Sequence, residues 1–329
     1  MKTYYLLLAF VCVCLLNGCV TTPVTAPAPA PAEATVHPTA LKSKAVEILR
    51  ASLKNSNPYI RSNAIEVAAE TQQKEMMPEI VRLMDDMAVA VRFSAVTAAG
   101  DMLCFGCEQD VRKRLSDDDE NVRVAAAYSL CKLNTPEFHT TLREAVESSD
   151  QTVRANAVLL LGKIGNTEDM PLLYKVMRDE SSSEQVKIQA VESLARLKDY
   201  RLYRSKLWAL LISKYADDRV MGIRGMGALG TPEAKNAIIT MMGDDIMEVR
   251  LCAADQLGRL GDLTGKDQVV EYLKKSADLN EANLANRLAV MAIGRIGTSD
   301  LVAYLPKALN SPSDMIRLTG AHAVLLLTK

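Results

Sequence analysis

The chain has 329 residues, 39 basic and 40 acidic, for a formal net charge of −1; 49% are hydrophobic and 24% charged. That balance excludes a disordered polyelectrolyte and a generally basic nucleic-acid binder. Aromatics reach only 5%, with one Trp and four Phe, and the apolar content lies in Ala, Leu, Val, Ile and fifteen Met. These are mostly good helix formers, so an all-helical fold is predicted rather than a β-sandwich.

The first forty residues read as an address and a tether. Lys2 is the one charged side chain before Glu33, and the 13-residue apolar run Tyr4 to Leu16 is too short to span a bilayer but suits a signal-peptide core. The run ends Leu16-Asn17-Gly18-Cys19, which resembles the bacterial lipobox, although Asn17 is a less usual filler. That resemblance implies removal of residues 1–18 and lipidation of Cys19 as the mature N-terminus; an ordinary secretory signal with an incidental Cys is the alternative. Residues 19–40 alternate Ala with Pro, and five of the twelve prolines fall between Thr21 and Thr39. Extended polyproline geometry there gives a spacer of up to ~60 Å, at ~3.1 Å per residue. Val20, rather than Asp, beside the lipidated Cys resembles an outer-membrane lipoprotein facing the periplasm of a two-membrane cell.

Residues 41–329 are one unit repeated nine times. Anchors stand at Ile60-Arg61, Val91-Arg92, Val122-Arg123, Val153-Arg154, Val186-Lys187, Arg219, Val249-Arg250, Asn286 and Ile316-Arg317, spaced by 31, 31, 31, 33, 32, 31, 36 and 31 residues. Counting the anchor base as zero, position +3 is Ala or Gly in all nine units, from Ala64 to Gly320. Position +8 is small in eight, as in Gly100, Gly162, Gly227, Gly258 and Gly294. Such positions let neighbouring helices pack closely. Each unit holds two helical patterns. Thr135-Pro136-Glu137 and Thr231-Pro232-Glu233 are starts of first helices. Asp-rich turns, such as Asp85-Asp86, Asp117-Asp118-Asp119 and Asp244-Asp245, precede second helices and are expected to cap them and to pair with the anchors.

The motif Val153-Arg154-Ala155-Asn156-Ala157 running to Gly162 and Gly165 resembles a HEAT repeat, and the period of ~31 residues is similar to the short HEAT-like variety of phycobilisome lyase subunits. The resemblance implies an all-α solenoid of about nine helix pairs forming a curved superhelix, whose function lies on an exposed ridge. Asn286 and five extra residues around Lys274 to Asn283 depart from the pattern. Val324, Leu325, Leu326 and Leu327 end the last helix with no polar capping unit, and the expectation is that this helix is tucked in.

At 100° per residue, positions +2, +5, +6 and +9 lie opposite the packed face. Down the array, +9 reads Glu70, Asp101, Lys132, Lys163, Arg196, Ala228, Arg259, Arg295 and Leu326, with Arg224 at +5 where +9 is Ala. Lys132, Lys163, Arg196, Arg224, Arg259 and Arg295 form a candidate ridge for a partner, either an acidic protein segment or an anionic envelope polymer, interrupted by Glu192 and Asp255. A merely solvated charged face is the bland reading. Nucleic acid is not expected, given the export address and few aromatics for stacking.

Little chemistry is legible. His37, His139 and His322 form no metal-binding pattern, no nucleophile elbow occurs, and neither metal nor cofactor is expected. Gly225-Met226-Gly227-Ala228-Leu229-Gly230 matches the dinucleotide fingerprint but closes a repeat helix, so its glycines are read as packing positions. Cys104 and Cys107, in a turn, are candidates for a local disulfide, with free thiols as the alternative. Cys131 is read as a core residue. The expected function is a lipid-anchored envelope scaffold or assembly factor with no catalysis of its own. The alternatives are a subunit similar to the HEAT-like phycobilin lyases and a purely structural spacer.

Overall fold

The structure, a computed structural model, describes residues 36–275 and 279–329. The leader, Cys19 and the tether up to residue 35 lie outside the described residues, as does part of the insertion before Asn286. The described residues are helical throughout. The first five units pair α1 (Pro38–Ser52) with α2 (Pro58–Glu70), α3 (Met77–Leu83) with α4 (Val89–Asp101), α5 (Glu108–Lys113) with α6 (Glu120–Lys132), α7 (His139–Ala145) with α8 (Gln151–Ile164), and α9 (Met170–Arg178) with α10 (Glu184–Arg196). Unit six joins a π-helical stretch, Tyr203–Leu207, and α11 (Trp208–Leu211) to α12 (Ala216–Leu229). Units seven and eight pair α13 (Pro232–Thr240) with α14 (Met247–Arg259) and α15 (Lys266–Lys275) with α16 (Leu284–Ile296); unit nine holds α17 (Ser299–Val302), α18 (Leu305–Leu309) and α19 (Asp314–Leu327).

The two small positions do different work. At +3, an added Cβ on Gly222 would meet Leu210 and the backbone of Leu211, and one on Gly320 would meet Ala308, so +3 faces the unit's own first helix. At +8, a Cβ on Gly100 would come within 2.8 Å of Ser129 Cα, on Gly162 within 2.8 Å of Ser193 Cα, and on Gly294 within 2.6 Å of Ala323 Cα. At these junctions position +8 faces +6 of the following unit, whereas Gly258 meets Arg295 and Ile296, at +9 and +10; neighbouring second helices run parallel. Gly227, from the dinucleotide-like run, meets Gln256 in the same way, as a packing glycine of α12.

Position +11 ends the second helices of the first eight units in the left-handed region, at Gln72, Leu103, Asn134, Gly165, Lys198, Gly230, Gly261 and Gly297. Glycine adopts this conformation without strain, and half of these eight positions use it. Gln73, Cys104, Thr135, Asp199 and Asp262 then donate amide hydrogens to the carbonyls of Ala68, Ala99, Leu130, Leu194 and Leu257, which satisfies orphan groups of the helix ends.

The anchors clamp units together. Arg61 binds the carbonyls of Asn55 and Ser56 in its own turn at 2.8 and 3.0 Å and grips both carboxylate oxygens of Asp86 in the next. Arg92 repeats this on the Asp86 carbonyl and on Asp117, and Arg219 on the Ser213 carbonyl and Asp244. Arg154 grips Asp179 at 2.8 Å with Ser181 and Ser182. The gripped Asp also binds an amide of its own turn, as Asp86 does for Ala88 and Asp244 for Ile246. Arg123 and Arg250 hold their own turns through the carbonyls of Asp117 and Asp244, and Arg317 holds its turn through Ser311 and pairs with Asp314. Lys187 reaches only Glu184, at 3.0 Å. Asn286, buried, replaces the guanidinium with a shorter reach, donating to the Glu281 carbonyl and accepting from Tyr272.

The curvature carries the ninth unit back onto the first. Helix α1 lies along α19, with Ala45, Leu49, Val324 and Leu325 fully buried or nearly so. Lys42 donates to the Thr328 carbonyl at 3.1 Å, Asn55 to Asp314 at 2.8 Å, and Lys44 to Asn310. The apolar end of α19 is therefore covered by the chain itself, and the array is a closed ring with second helices inside.

Two outcomes follow from the clamps. Arg92→Ala strands Asp117, whose side chain is only 5% exposed, and is expected to cost about 3 kcal/mol in urea unfolding; a loss under about 1 kcal/mol contradicts the clamp. Hydrogen bonds from Arg154 and Ser181 depress Asp179 from 3.8 to about 2. Burial opposes the same shift in Asp86 and Asp117, but the arginines and turn amides outweigh it. A depressed carboxylate contributes above its unfolded pKa, so stability is expected to fall from pH ~4 to ~2 and Asp179→Asn to flatten that decline in acid titrations of helicity. An unchanged acid profile in this variant assigns the decline to other groups.

Candidate functional site

Because the second helices are parallel, their +9 side chains gather at one mouth of the ring and their +5 side chains meet nearer its middle. Curvature and closure then join charges far apart in sequence. Lys163 of unit four binds Asp101 of unit two at 2.5 Å, and Tyr128 of unit three donates to the other oxygen of the same carboxylate, also at 2.5 Å. Arg295 of unit eight pairs with Glu70 of unit one, which His322 of unit nine meets at 3.2 Å. Burial raises Glu70, but the hydrogen bonds and charges of His322 and Arg295 outweigh it and hold the carboxyl well below its usual range. Glu66, one turn earlier, is raised instead, first by burial and then by Glu70 and Asp101, with Lys163 opposing.

The expected open ridge is accordingly an inner surface. Lys163 and Arg295 are half-buried in ion pairs, Lys132 is half-buried, and Arg196, Arg224 and Arg259 are exposed. Among the described residues, Lys132, Arg196, Arg224 and Arg259 make no ion pair. Near the middle, a cavity of about 220 Å³ is lined by Arg224, Asp255, Arg287, His322, Met291 and Leu318 among others. Asp255 is buried, its pKa raised by desolvation against the pull of Arg295; Gln256 donates to one of its oxygens and the other has no partner. Glu66, Asp255 and His322 were not singled out as site residues from the sequence. Their shared +5 position was the available signal, but only closure shows that +5 side chains of distant units meet.

The anchor residues lie away from this surface, at the unit junctions. Cys104 and Cys107 are bonded to one another in the turn before α5. Burial pushes the free thiols up, Cys131 to about 11 and Cys252 to about 12, so both stay protonated at neutral pH. No group of three or more metal-binding side chains occurs among the described residues.

A family model described as HEAT repeats matches residues 108–195. With the architecture above, this supports a HEAT-repeat relationship: the fold is an all-α array of HEAT-like helix pairs. No curated protein matches the sequence. Among solved structures, the chain is similar to human deoxyhypusine hydroxylase in complex with glycerol, at 18% identity and TM-score 0.38, over 79% of this chain and 97% of that one. It is similar to the complex of CpcE and CpcF of phycocyanin lyase from Nostoc sp. PCC7120, at 18% identity and TM-score 0.44, over 82% and 98%. It is also similar to Kap95p bound to RanGDP, at 14% identity and TM-score 0.35, over 87% and 45%. These likenesses concern the fold. They correct one expectation: a hydroxylase and a lyase stand among the similar structures, so a helical-repeat architecture without a recognised motif is no ground for excluding catalysis.

Closure is testable through Glu70. Its side chain is 44% exposed, so solvent screens part of its contribution. Glu70→Gln is expected to speed amide exchange in α1 and α19 by about tenfold, the loss of one charge-assisted bond, while α6 and α8 keep their protection. Unchanged exchange in α1 and α19 assigns closure to apolar packing alone.

Proposed function

We propose that the protein is a scaffold or assembly factor of a bacterial envelope, tethered through a lipid on Cys19 to the periplasmic face of an outer membrane, and that its ring mouth holds an acidic segment of a protein partner. The observation that carries this reading is the division of charge inside the ring. Glu70 and Asp101 neutralise Arg295 and Lys163, whereas Lys132, Arg196, Arg224 and Arg259 have no acidic partner within 4 Å among the described residues. An arc of like charge around a low-dielectric concavity focuses its field on an anion and steers its approach. Repeat arrays commonly use such concave surfaces to hold proteins. The lipobox-like run, the short apolar leader and the Pro-rich spacer support the address.

The test is affinity capture from a detergent-solubilised envelope with the native chain, a Cys19→Ser form and Arg196→Glu with Arg259→Glu. Both arginines are exposed, so helicity is expected to be unchanged. The expected result is a distinct partner retained by the first two forms and reduced at least tenfold by the double reversal. Equal capture by the folded reversal, or no specific partner in any form, removes the binding role and leaves a structural spacer.

A further inference from the structure

Unit six departs from the other eight in composition and in surface. From Tyr200 to Tyr215 the chain carries Arg201, Arg204, Lys206 and Lys214 and no acidic residue, in a protein with 39 basic and 40 acidic residues in all. The same sixteen residues hold Tyr200, Tyr203, Trp208 and Tyr215, including the chain's one Trp. Leu202, Leu207 and Leu211 are buried against the ring. A neighbouring row runs from Tyr200 in the preceding turn through Arg204 and Trp208 to Ile212 at the helix C-cap, at four-residue spacing, and Tyr200, Trp208, Ile212 and Tyr215 are 74%, 41%, 67% and 59% exposed.

Elsewhere exposed large apolar side chains such as Met87, Phe105 and Leu263 stand in turns and form no such row. Lys175 and Arg178 are exposed on α9, Glu233 and Asn236 on α13, and Asp267, Glu271 and Lys274 on α15. The exposed apolar stripe is therefore particular to unit six, and packing within the ring does not account for it. Unit six also follows one of the junctions that lack an Arg–Asp clamp, where, among the described residues, Lys187 pairs with Glu184 of its own helix. Its first helix opens with the π-helical stretch Tyr203–Leu207, a backbone irregularity frequent at functional sites. Asp199 holds Arg201 at 2.7 Å, which leaves Arg204, Lys206 and Lys214 as the cations beside the stripe with no ion pair among the described residues.

Trp and Tyr rings combine an apolar body with a polar edge and favour the headgroup level of a bilayer; neighbouring bases favour its anionic phosphates. A convex helix ridge with aromatic and aliphatic side chains along its crest and cations beside it matches an interfacial helix face. We propose that this face of unit six docks on an anionic lipid surface, with Trp208, Ile212 and the tyrosines entering the headgroup layer and Arg204, Lys206 and Lys214 contacting lipid phosphates. The contact does not rest on lipidation of Cys19. It orients the ring on the membrane rather than merely retaining it there.

Trp208 is the one Trp of the chain, so its fluorescence in the full-length protein reports this face alone, however the rest of the molecule is held. The probes are vesicles of phosphatidylcholine mixed with phosphatidylglycerol, vesicles of phosphatidylcholine alone, and the same two with brominated acyl chains. On anionic vesicles, Trp208 emission is expected to shift to the blue and to be quenched by bromine. Arg204→Glu with Lys206→Glu, at unchanged helicity, is expected to weaken the response at least tenfold, and high salt to reverse it. Unshifted, unquenched emission while the protein sediments with anionic vesicles overturns the proposal, because retention then comes from the N-terminal segment. A shift seen only on adding solubilised envelope protein overturns it in favour of a protein contact.

Discussion

The close approach of neighbouring second helices, which admits only a small residue at +8 and at Gly100, Gly162, Gly227, Gly258 and Gly294 no side chain at all, is the constraint on which the rest depends. With glycine or another small residue at that position, the inner helices draw together while the first helices outside keep their ordinary side chains. A wedge repeated nine times curves. In this chain the curvature is sufficient for α19 to reach α1 and be covered by it. The Arg–Asp clamps act at the unit turns, gripping the next turn and, at Arg61, Arg92 and Arg219, the arginine's own turn as well, so they fix the register in which the wedges stack.

Closure changes the meaning of the inner charges. In an open array, charges at +9 are neighbours only along the array. In the ring, unit one meets unit eight through Glu70 and Arg295, and unit two meets unit four through Asp101 and Lys163. The two acidic units neutralise part of the basic column; of the remainder, Lys132, Arg196 and Arg259 stand at the mouth and Arg224 nearer the middle. The same geometry buries Asp255 beside a small cavity, where desolvation favours its neutral form. Unit six, whose anchor is preceded by an unclamped junction, turns an aromatic and basic face outward. The ring thus presents two surfaces of different chemistry, a polar mouth and an amphipathic flank.

Much of the fold was legible in the sequence because repetition multiplies a weak signal. The anchors, the small residues at +3 and +8 and the Asp-rich turns recur at fixed offsets, and each offset has a physical reason visible at a single position, as in Gly162 against Ser193. What the sequence did not disclose was closure, since a period specifies the unit and not the small rotation between units that decides where the last one lands. The reading of Lys163 and Arg295 as open ridge residues failed for that reason: the curvature brings Lys163 to Asp101, 62 residues away, and closure brings Arg295 to Glu70, 225 residues away. The left-handed caps were half legible. Gly165, Gly230 and Gly297 announce them, whereas Leu103 and Lys198 adopt the same conformation without a compositional sign. The flank of unit six was legible as an aromatic and basic run, but its outward orientation needed the exposure of Trp208 and Ile212.

The central claim is that the nine units close on themselves, and a zero-length cross-link tests it most directly. Lys329 donates to the backbone carbonyl of Glu70, 259 residues away in sequence, at 2.6 Å. Carbodiimide treatment of the monomer, followed by peptide mass spectrometry, is expected to recover an isopeptide bond joining Lys329 to the Glu70 carboxylate, together with one joining Lys163 to Asp101. Recovery of the Lys163–Asp101 link without any link between units nine and one would show an open superhelix and contradict the ring.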